Sequence, residues 1–347
     1  IQGGPDFDRF LKQAEGPREE PAEARPFLVD GHVDLTYFLR GHFDDHTLNE
    51  LHDGPFTLDK AREAALKLFC NALYCEDKYN GEQSQAHLKE NLAFTLEHFD
   101  GVTMIREAKD LSRVMEDPDT IGTLLLLENA DALAGNIDLL DGLAEAGIRI
   151  VGLTHAGKNR LGDGNGIYHS EGMSKEGREV VRRLQEMGLI LDVAHLHPTC
   201  FWQLMDLVEA PIISSHTGIR ECFDIPRNID LAQIKEIVMR QGLVGVTCNP
   251  EMLSPDRSVS LENIFVHVDT IVQSFGPDVV GIGSDFCGFD QPAQGLEDIS
   301  MAPNLADILA DHGYNGEAVA KIMGRNWLRI YEGLLAQSAG WKVGKEN

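Results

Sequence analysis

Long apolar runs are missing from this chain. No stretch of 18 or more residues is continuously apolar, and the longest, such as residues 122–127, have the length of a strand. That excludes a membrane-crossing helix in the given sequence and leads us to expect a soluble chain. Basic charge is scarce as well: 30 Lys and Arg stand against 56 Asp and Glu, a formal net charge of −26. The resulting field repels phosphate backbones and anionic lipid surfaces, so nucleic acid is a poor partner. Six cysteines, Cys70, Cys75, Cys200, Cys222, Cys248 and Cys287, are scattered without a CxxC pair or the density of a disulfide scaffold. Reduced thiols are the expectation. The start at Ile1 shows no charged segment followed by an apolar one. A cytoplasmic location follows as the expectation, with a cleaved secretion signal left open. Internal repeats and a mid-chain break in composition are also lacking, which argues against a second domain.

What the chain does contain is a series of eight short apolar runs: residues 27–35, 66–75, 121–128, 148–155, 189–195, 211–216, 242–248 and 279–285. Several are nearly continuous in hydrophobicity, as strands buried on both faces must be. Helical patterns lie between them. Val180, Leu184 and Met187 recur at i, i+4, i+7, and Ile234, Ile237 and Val238 follow Asp230, a plausible N-cap with Gln233 at the capping-box position. Eight strand–helix units in 347 residues fit one α/β domain, a (β/α)8 TIM barrel spanning residues 27–347. The Pro- and Glu-rich stretch at 16–26 reads as the end of an extended N-terminal arm, residues 1–26.

Metal-capable side chains fall at the C-terminal ends of these runs. His32 and Asp34 end the first, Glu128 the third, His155 the fourth, His195 the fifth, His216 the sixth and Asp285 the eighth. In a (β/α)8 barrel all those ends meet at one mouth. A single histidine there is usually a packed core residue; four of them with three carboxylates point to a metal centre. Residues i and i+2 of a strand face the same side, so His32 and Asp34 can grip one cation together. Asp30 shares that face and suits a supporting hydrogen bond to a ligand or to backbone. Glu128 ends an apolar run, where an unpaired carboxylate is costly and a cation, or a salt bridge to an arginine, would neutralise it.

Taken in order, the stretches VDGHVDL, LLLLENADAL, LTHAGKNRLGDG, LDVAHLH, PIISSHTGIR with PRNID, VGIGSDFCGF and the closing IMGRNWLRIYE resemble the membrane (renal) dipeptidase family of zinc peptidases, among the amidohydrolase-type barrels. The resemblance runs from about Phe27 to Tyr331. It implies two Zn2+ per chain, one held by His32 and Asp34, the other by His195 and His216, with Glu128 bridging both. It further implies that His155 and Arg227 bind substrate and steady the tetrahedral intermediate. Asp285 would serve as the catalytic proton carrier. A water bridging two zinc ions has its pKa lowered toward ~7 and would supply the hydroxide that attacks the amide. No serine or cysteine nucleophile is then needed, and Ser215 and Cys287 are read as packing or loop residues. The expected substrate is a small dipeptide, with the configuration of the leaving residue open. The resemblance also suggests a homodimer.

Three positions depart from the commoner family pattern: Asn129 where glycine is frequent, Thr217-Gly218 after His216, and Cys287 where a second acid is common. They bear on substrate detail and leave the proposed ligands in place. Alternatives to a dipeptidase are a binuclear amidohydrolase of another small amide, an N-acyl amino acid or a lactone, a catalytically dead ligand-binding barrel, and a structural protein whose histidines are incidental. The last predicts a metal-free fold.

Overall fold

The computed structural model describes residues 26–256 and 258–338. The expected arm, apart from Pro26, lies outside the described residues. Eight parallel strands close on themselves: β1 (Leu28–Val33), β2 (Leu66–Tyr74), β4 (Gly122–Glu128), β5 (Ile148–Gly152), β6 (Ile190–Asp192), β7 (Ile212–Thr217), β8 (Leu243–Val246) and β9 (Val280–Ile282). Because β2 pairs with both β1 and β4, and β9 with both β8 and β1, the ring has no free edge. With its surrounding helices it is a (β/α)8 TIM barrel. One strand was not among the apolar runs. The two-residue β3 (Thr103–Met104) pairs with the first residues of β4, below the point at which β5 begins to pair at Leu125.

The run Leu124–Leu127 shows why these strands are apolar throughout. Leu125 and Leu127 pack outward into the layer beneath the helices, whereas Leu124 and Leu126 belong to a separate cluster inside the barrel. Period-two alternation thus feeds two cores with one unbroken apolar sequence. The helices answer the outer layer. In Lys175–Glu186, Val180 and Leu184 are buried, and Met187 caps the end; in Leu231–Met239 the box is made, with the Gln233 amide N–H donating to Asp230 Oδ1 at 2.8 Å and the Asp230 N–H donating to Gln233 Oε1 at 3.1 Å.

The last helix, Asn326–Ser338, closes the N-terminal end of the barrel. Its Trp327 is fully buried, stacks on Tyr331 with ring centroids 5.5 Å apart, and donates from Nε1 to the Ile282 carbonyl at 2.7 Å. Three strands make room for the indole with glycine: a Cβ at Gly31, Gly245 or Gly281 would come within 2.1, 3.0 or 2.6 Å of it.

At the opposite end the regular strands are shorter than the apolar runs. β5, β6 and β9 stop three residues before His155, His195 and Asp285. Single backbone bonds carry the pairing further, among them Val193 N–H to the Ile213 carbonyl, Gly283 N–H to Val246 and Asp285 N–H to His32. The chain then turns out of extended geometry, with φ of +63° at His195 and +66° at Asp285. Left-handed backbone is uncommon for such residues and marks the places where the ladder gives way to a site.

A candidate metal centre at the barrel mouth

Groups of His and carboxylate side chains close enough to share a cation occur, among the described residues, only at this mouth. They are His32 with Glu128 and His216, Glu128 with His155 and His195, and His32 with Asp34 and Asp285, each group's ligand atoms lying within 4.8 Å of one another. Together they contain the seven residues singled out from the runs and no others. Arg227 joins six of them, all but His32, on the wall of one cavity of about 400 Å³, with Tyr37, Tyr74, Asn249, Glu251 and Met252.

The geometry is that of a donor set facing inward. His32 Nε2 sits 3.6 Å from Asp34 Oδ2 and 3.8 Å from Glu128 Oε2. His195 Nε2 lies 3.0 Å from Glu128 Oε1 and 3.1 Å from His216 Nε2. His32 Nε2 and Asp34 Oδ1 are buried with no hydrogen-bond partner among the described residues. Buried polar atoms left so are costly. Imidazole nitrogens and carboxylate oxygens at this spacing are a ligand set that a divalent cation would satisfy.

Protonation follows the same logic. Burial works against a charge on His32, yet the Asp34, Glu128 and Asp285 carboxylates outweigh it and raise its pKa to about 10. Burial, then the neighbouring Asp34, lifts Asp285 to about 7, and burial lifts Glu128 as well. His195 and His216 are pushed well below their ordinary value by burial, then by Arg227 beside His195 and by His32 beside His216. Neutral imidazoles are the ligating form, and carboxylates crowded in this way favour positive charge beside them.

Other side chains hold this set in place, and several escaped the reading of the sequence. Asp30 Oδ1 accepts the His32 and Ser284 backbone N–H groups at 3.2 and 2.8 Å, the supporting role expected of it. Asp77, in the turn after β2, accepts from His155 Nδ1 at 3.0 Å and from the Gly157 N–H at 2.9 Å. Burial alone would lower the His155 pKa; the bond to Asp77 and the Glu128 carboxylate turn the net shift upward. Asn249 donates to Asp285 Oδ2 at 2.9 Å while capping the short helix Pro250–Leu253. Its Asn-Pro pair is a legible helix start, but nothing in the sequence points it at Asp285. Ser215 corrects the reading as a packing or loop residue. It lies within β7, and its hydroxyl meets His32, His216 and Asp192. Cys287 is buried beside the site, and all six cysteines are free.

Two features keep the cavity open above the carboxylates. Gly288 has no room for a side chain, since a Cβ there would lie 2.4 Å from Asp34 Oδ2 and 2.5 Å from Asp285 Oδ1. Arg227 donates from Nη2 to the His216 carbonyl at 3.0 Å and leaves Nη1 buried without a partner among the described residues.

Known proteins share both the sequence and the shape. The chain is 26% identical over 329 residues to an uncharacterized dipeptidase of Schizosaccharomyces pombe, covering 88% of this chain and 80% of that one. Its fold superposes with a TM-score of 0.81 on a dipeptidase of family M19, at 23% identity, covering 91% of this chain and all of the other. A metallopeptidase from Rhodobacter sphaeroides, solved with a phosphinate mimic of the dipeptide L-Ala-D-Ala, superposes with a TM-score of 0.80 at 22% identity, again over 91% of this chain and all of that one. No helix among the described residues is long and apolar enough to cross a membrane. The profile of the membrane dipeptidases matches residues 19–340, and the chain therefore belongs to that family, peptidase family M19, as a metal-dependent dipeptidase.

Proposed function

We propose that the chain is a zinc dipeptidase that binds two Zn2+, one through His32 and Asp34, the other through His195 and His216, with Glu128 between them. The observation that carries this reading is the convergence of these side chains, from the ends of four strands, around His32 Nε2 and Asp34 Oδ1, buried atoms without a hydrogen-bond partner among the described residues. Bound there, the ions would activate a water at neutral pH and polarise the scissile carbonyl.

The protein's own groups do the rest. Arg227 Nη1, a buried donor without a partner among the described residues, meets the carbonyl oxygen as negative charge develops on it; His155, braced by Asp77, faces the same oxygen. A preorganised donor of this kind is worth ~3–4 kcal/mol in the transition state. Asp285 takes the proton of the attacking water and delivers it to the leaving amine. Its Oδ2 is occupied by Asn249, which leaves Oδ1, next to Gly288, to carry that proton. Glu251, at the cavity wall, and the ring of carboxylates suit the free ammonium group of a dipeptide, while the guanidinium fork suits its acidic end or its oxyanion.

The phosphinate mimic of L-Ala-D-Ala held by the similar Rhodobacter sphaeroides peptidase supports including D residues among the candidates for the leaving position. The test is a hydrolysis screen on zinc-loaded protein, with dipeptides of both configurations at the C-terminal position and with acetylated, amidated and tripeptide controls. Free dipeptides should be cleaved much faster than every blocked or lengthened control. N-acetyl amino acids or tripeptides cleaved as fast as any dipeptide would replace this reading with a broader binuclear amidohydrolase.

A further inference from the structure

Ser215 is fully buried in β7 and places one hydroxyl oxygen among three groups: Asp192 Oδ2 at 2.6 Å, His216 Nδ1 at 3.0 Å and His32 Nδ1 at 3.1 Å. A serine hydroxyl has one hydrogen to give and two lone pairs to receive. The Asp192 carboxylate can only accept, and its other oxygen already receives the Ala194 and Ser215 backbone N–H groups at 3.0 and 2.8 Å. The serine hydrogen therefore goes to Asp192, and the two lone pairs face two imidazole nitrogens that must both be N–H donors. Each ring then carries its hydrogen on Nδ1 and presents the lone pair of Nε2 to the metal centre. The two ring faces lie against each other, tilted by 33° with centroids 3.7 Å apart, and both Nδ1 atoms reach the one hydroxyl.

We propose that Ser215 is a positioning residue that locks His32 and His216, one from each half of the metal centre, into the one tautomer able to ligate through Nε2. This rests on the two-metal reading above. The usual arrangement gives each ligating histidine its own outer partner. Here one oxygen serves both half-sites, and one carboxylate, Asp192, fixes the direction of all three bonds. Deleting a single hydroxyl should then disturb two metal sites at once.

The experiment is a zinc titration of the full chain against a chelator, resolving both binding steps, for the unaltered protein, Ser215→Ala and Ser214→Ala. Ser214 is the control because it is equally buried on the same strand and its hydroxyl has no partner among the described residues. Ser215→Ala should weaken both steps by ~10–100-fold, the loss typical of an outer partner, and Ser214→Ala neither. Melting of the metal-free proteins reports whether each variant is folded. Nitrogen NMR of the zinc-loaded unaltered protein supplies a readout that needs no variant: both rings should bind zinc at Nε2 and keep a slowly exchanging hydrogen on Nδ1. Either binding step unchanged in a folded Ser215→Ala protein, or a zinc bond at Nδ1 of either ring, overturns the proposal. An unaltered chain that takes up no zinc overturns the metal reading beneath it, a different result from two tight sites that ignore the serine.

Discussion

The two ends of the barrel interior are built by the same strands to opposite specifications. At the N-terminal end, Val29, Leu124 and Ile213 pack with Trp327, Tyr331 and Leu334, and the indole's only polar atom is satisfied. A few residues further along those strands come His32, Glu128 and His216, whose charges and ligand atoms crowd together, with His32 Nε2 lacking a partner among the described residues. Positive φ is more frequent at the mouth, at Asn129, His195, Asp285 and Cys287, than at the other end, where Ala65 and Gln241 adopt it just before β2 and β8. Packing at one end holds the fold, and the other end is thereby free to carry strain and uncompensated charge for chemistry. The comparison fails if damage at one end is felt equally at the other.

The largest effect should come from Glu128→Gln. It removes the carboxylate common to two of the three metal-capable groups, so both ions should bind poorly and turnover should fall by ~10³-fold or more, beyond the loss of one oxyanion donor. Elemental analysis with a dipeptide assay measures both quantities. Loss of only one ion would mean that Glu128 belongs to one half-site.

Next in size is Trp327→Ala at the closed end. It empties the space that three glycines reserve and removes the bond to the Ile282 carbonyl, at a cost of ~3–5 kcal/mol of folding stability. Urea unfolding reads that loss. Where the variant is still folded, its zinc content and kcat/KM should match the unaltered protein; a parallel drop in kcat/KM would show that the two ends are mechanically coupled through β9.

The closed end was less legible in the sequence than the open one. Apolar runs ending in His or carboxylate announce both the strands and their mouth, because period-two burial and a shared barrel end are local rules. The closing motif IMGRNWLRIYE carried the family resemblance without revealing that Trp327 enters the barrel, since the space for it comes from glycines on three distant strands. Asp77, Asn249 and Ser215 stayed hidden for a similar reason. Each earns its meaning from a partner between 36 and 183 residues away, and polar residues in turns or beside a ligand have commoner explanations. The runs also overshot the strands at His155, His195 and Asp285, because composition does not register where the ladder ends, at the last two in a turn into left-handed backbone.

Within the open end, the proton carrier should be separable from the ligands. Asp285→Asn keeps the shape and the bond from Asn249 but can no longer take up a proton, so turnover should fall by ~10²-fold with zinc content retained. Loss of zinc in that variant would make Asp285 chiefly a ligand, and full activity would remove it from the reaction.

The smallest effect, and the one that divides the mouth most finely, belongs to Asp77→Asn. Asp77 touches no proposed metal ligand other than through His155, whose Nδ1 it holds at 3.0 Å and whose pKa its bond raises against the opposing effect of burial. A raised pKa means that doubly protonated His155 is populated at low pH and lost as pH rises through the shifted value. Removing the Asp77 charge leaves burial unopposed on that side, so the pKa falls and the loss begins at lower pH. If the imidazolium is the form that meets the oxyanion, the alkaline limb of kcat/KM against pH should move downward in pH. At neutral pH the loss should be about tenfold, the low end of the ~1.5–3 kcal/mol carried by a hydrogen bond to a charged group. Zinc content should not change. A uniform loss with the limb unmoved would leave Asp77 as an orienting group alone, and a fall in zinc content would place His155 among the metal ligands with Glu128 and His195, the grouping their spacing also permits.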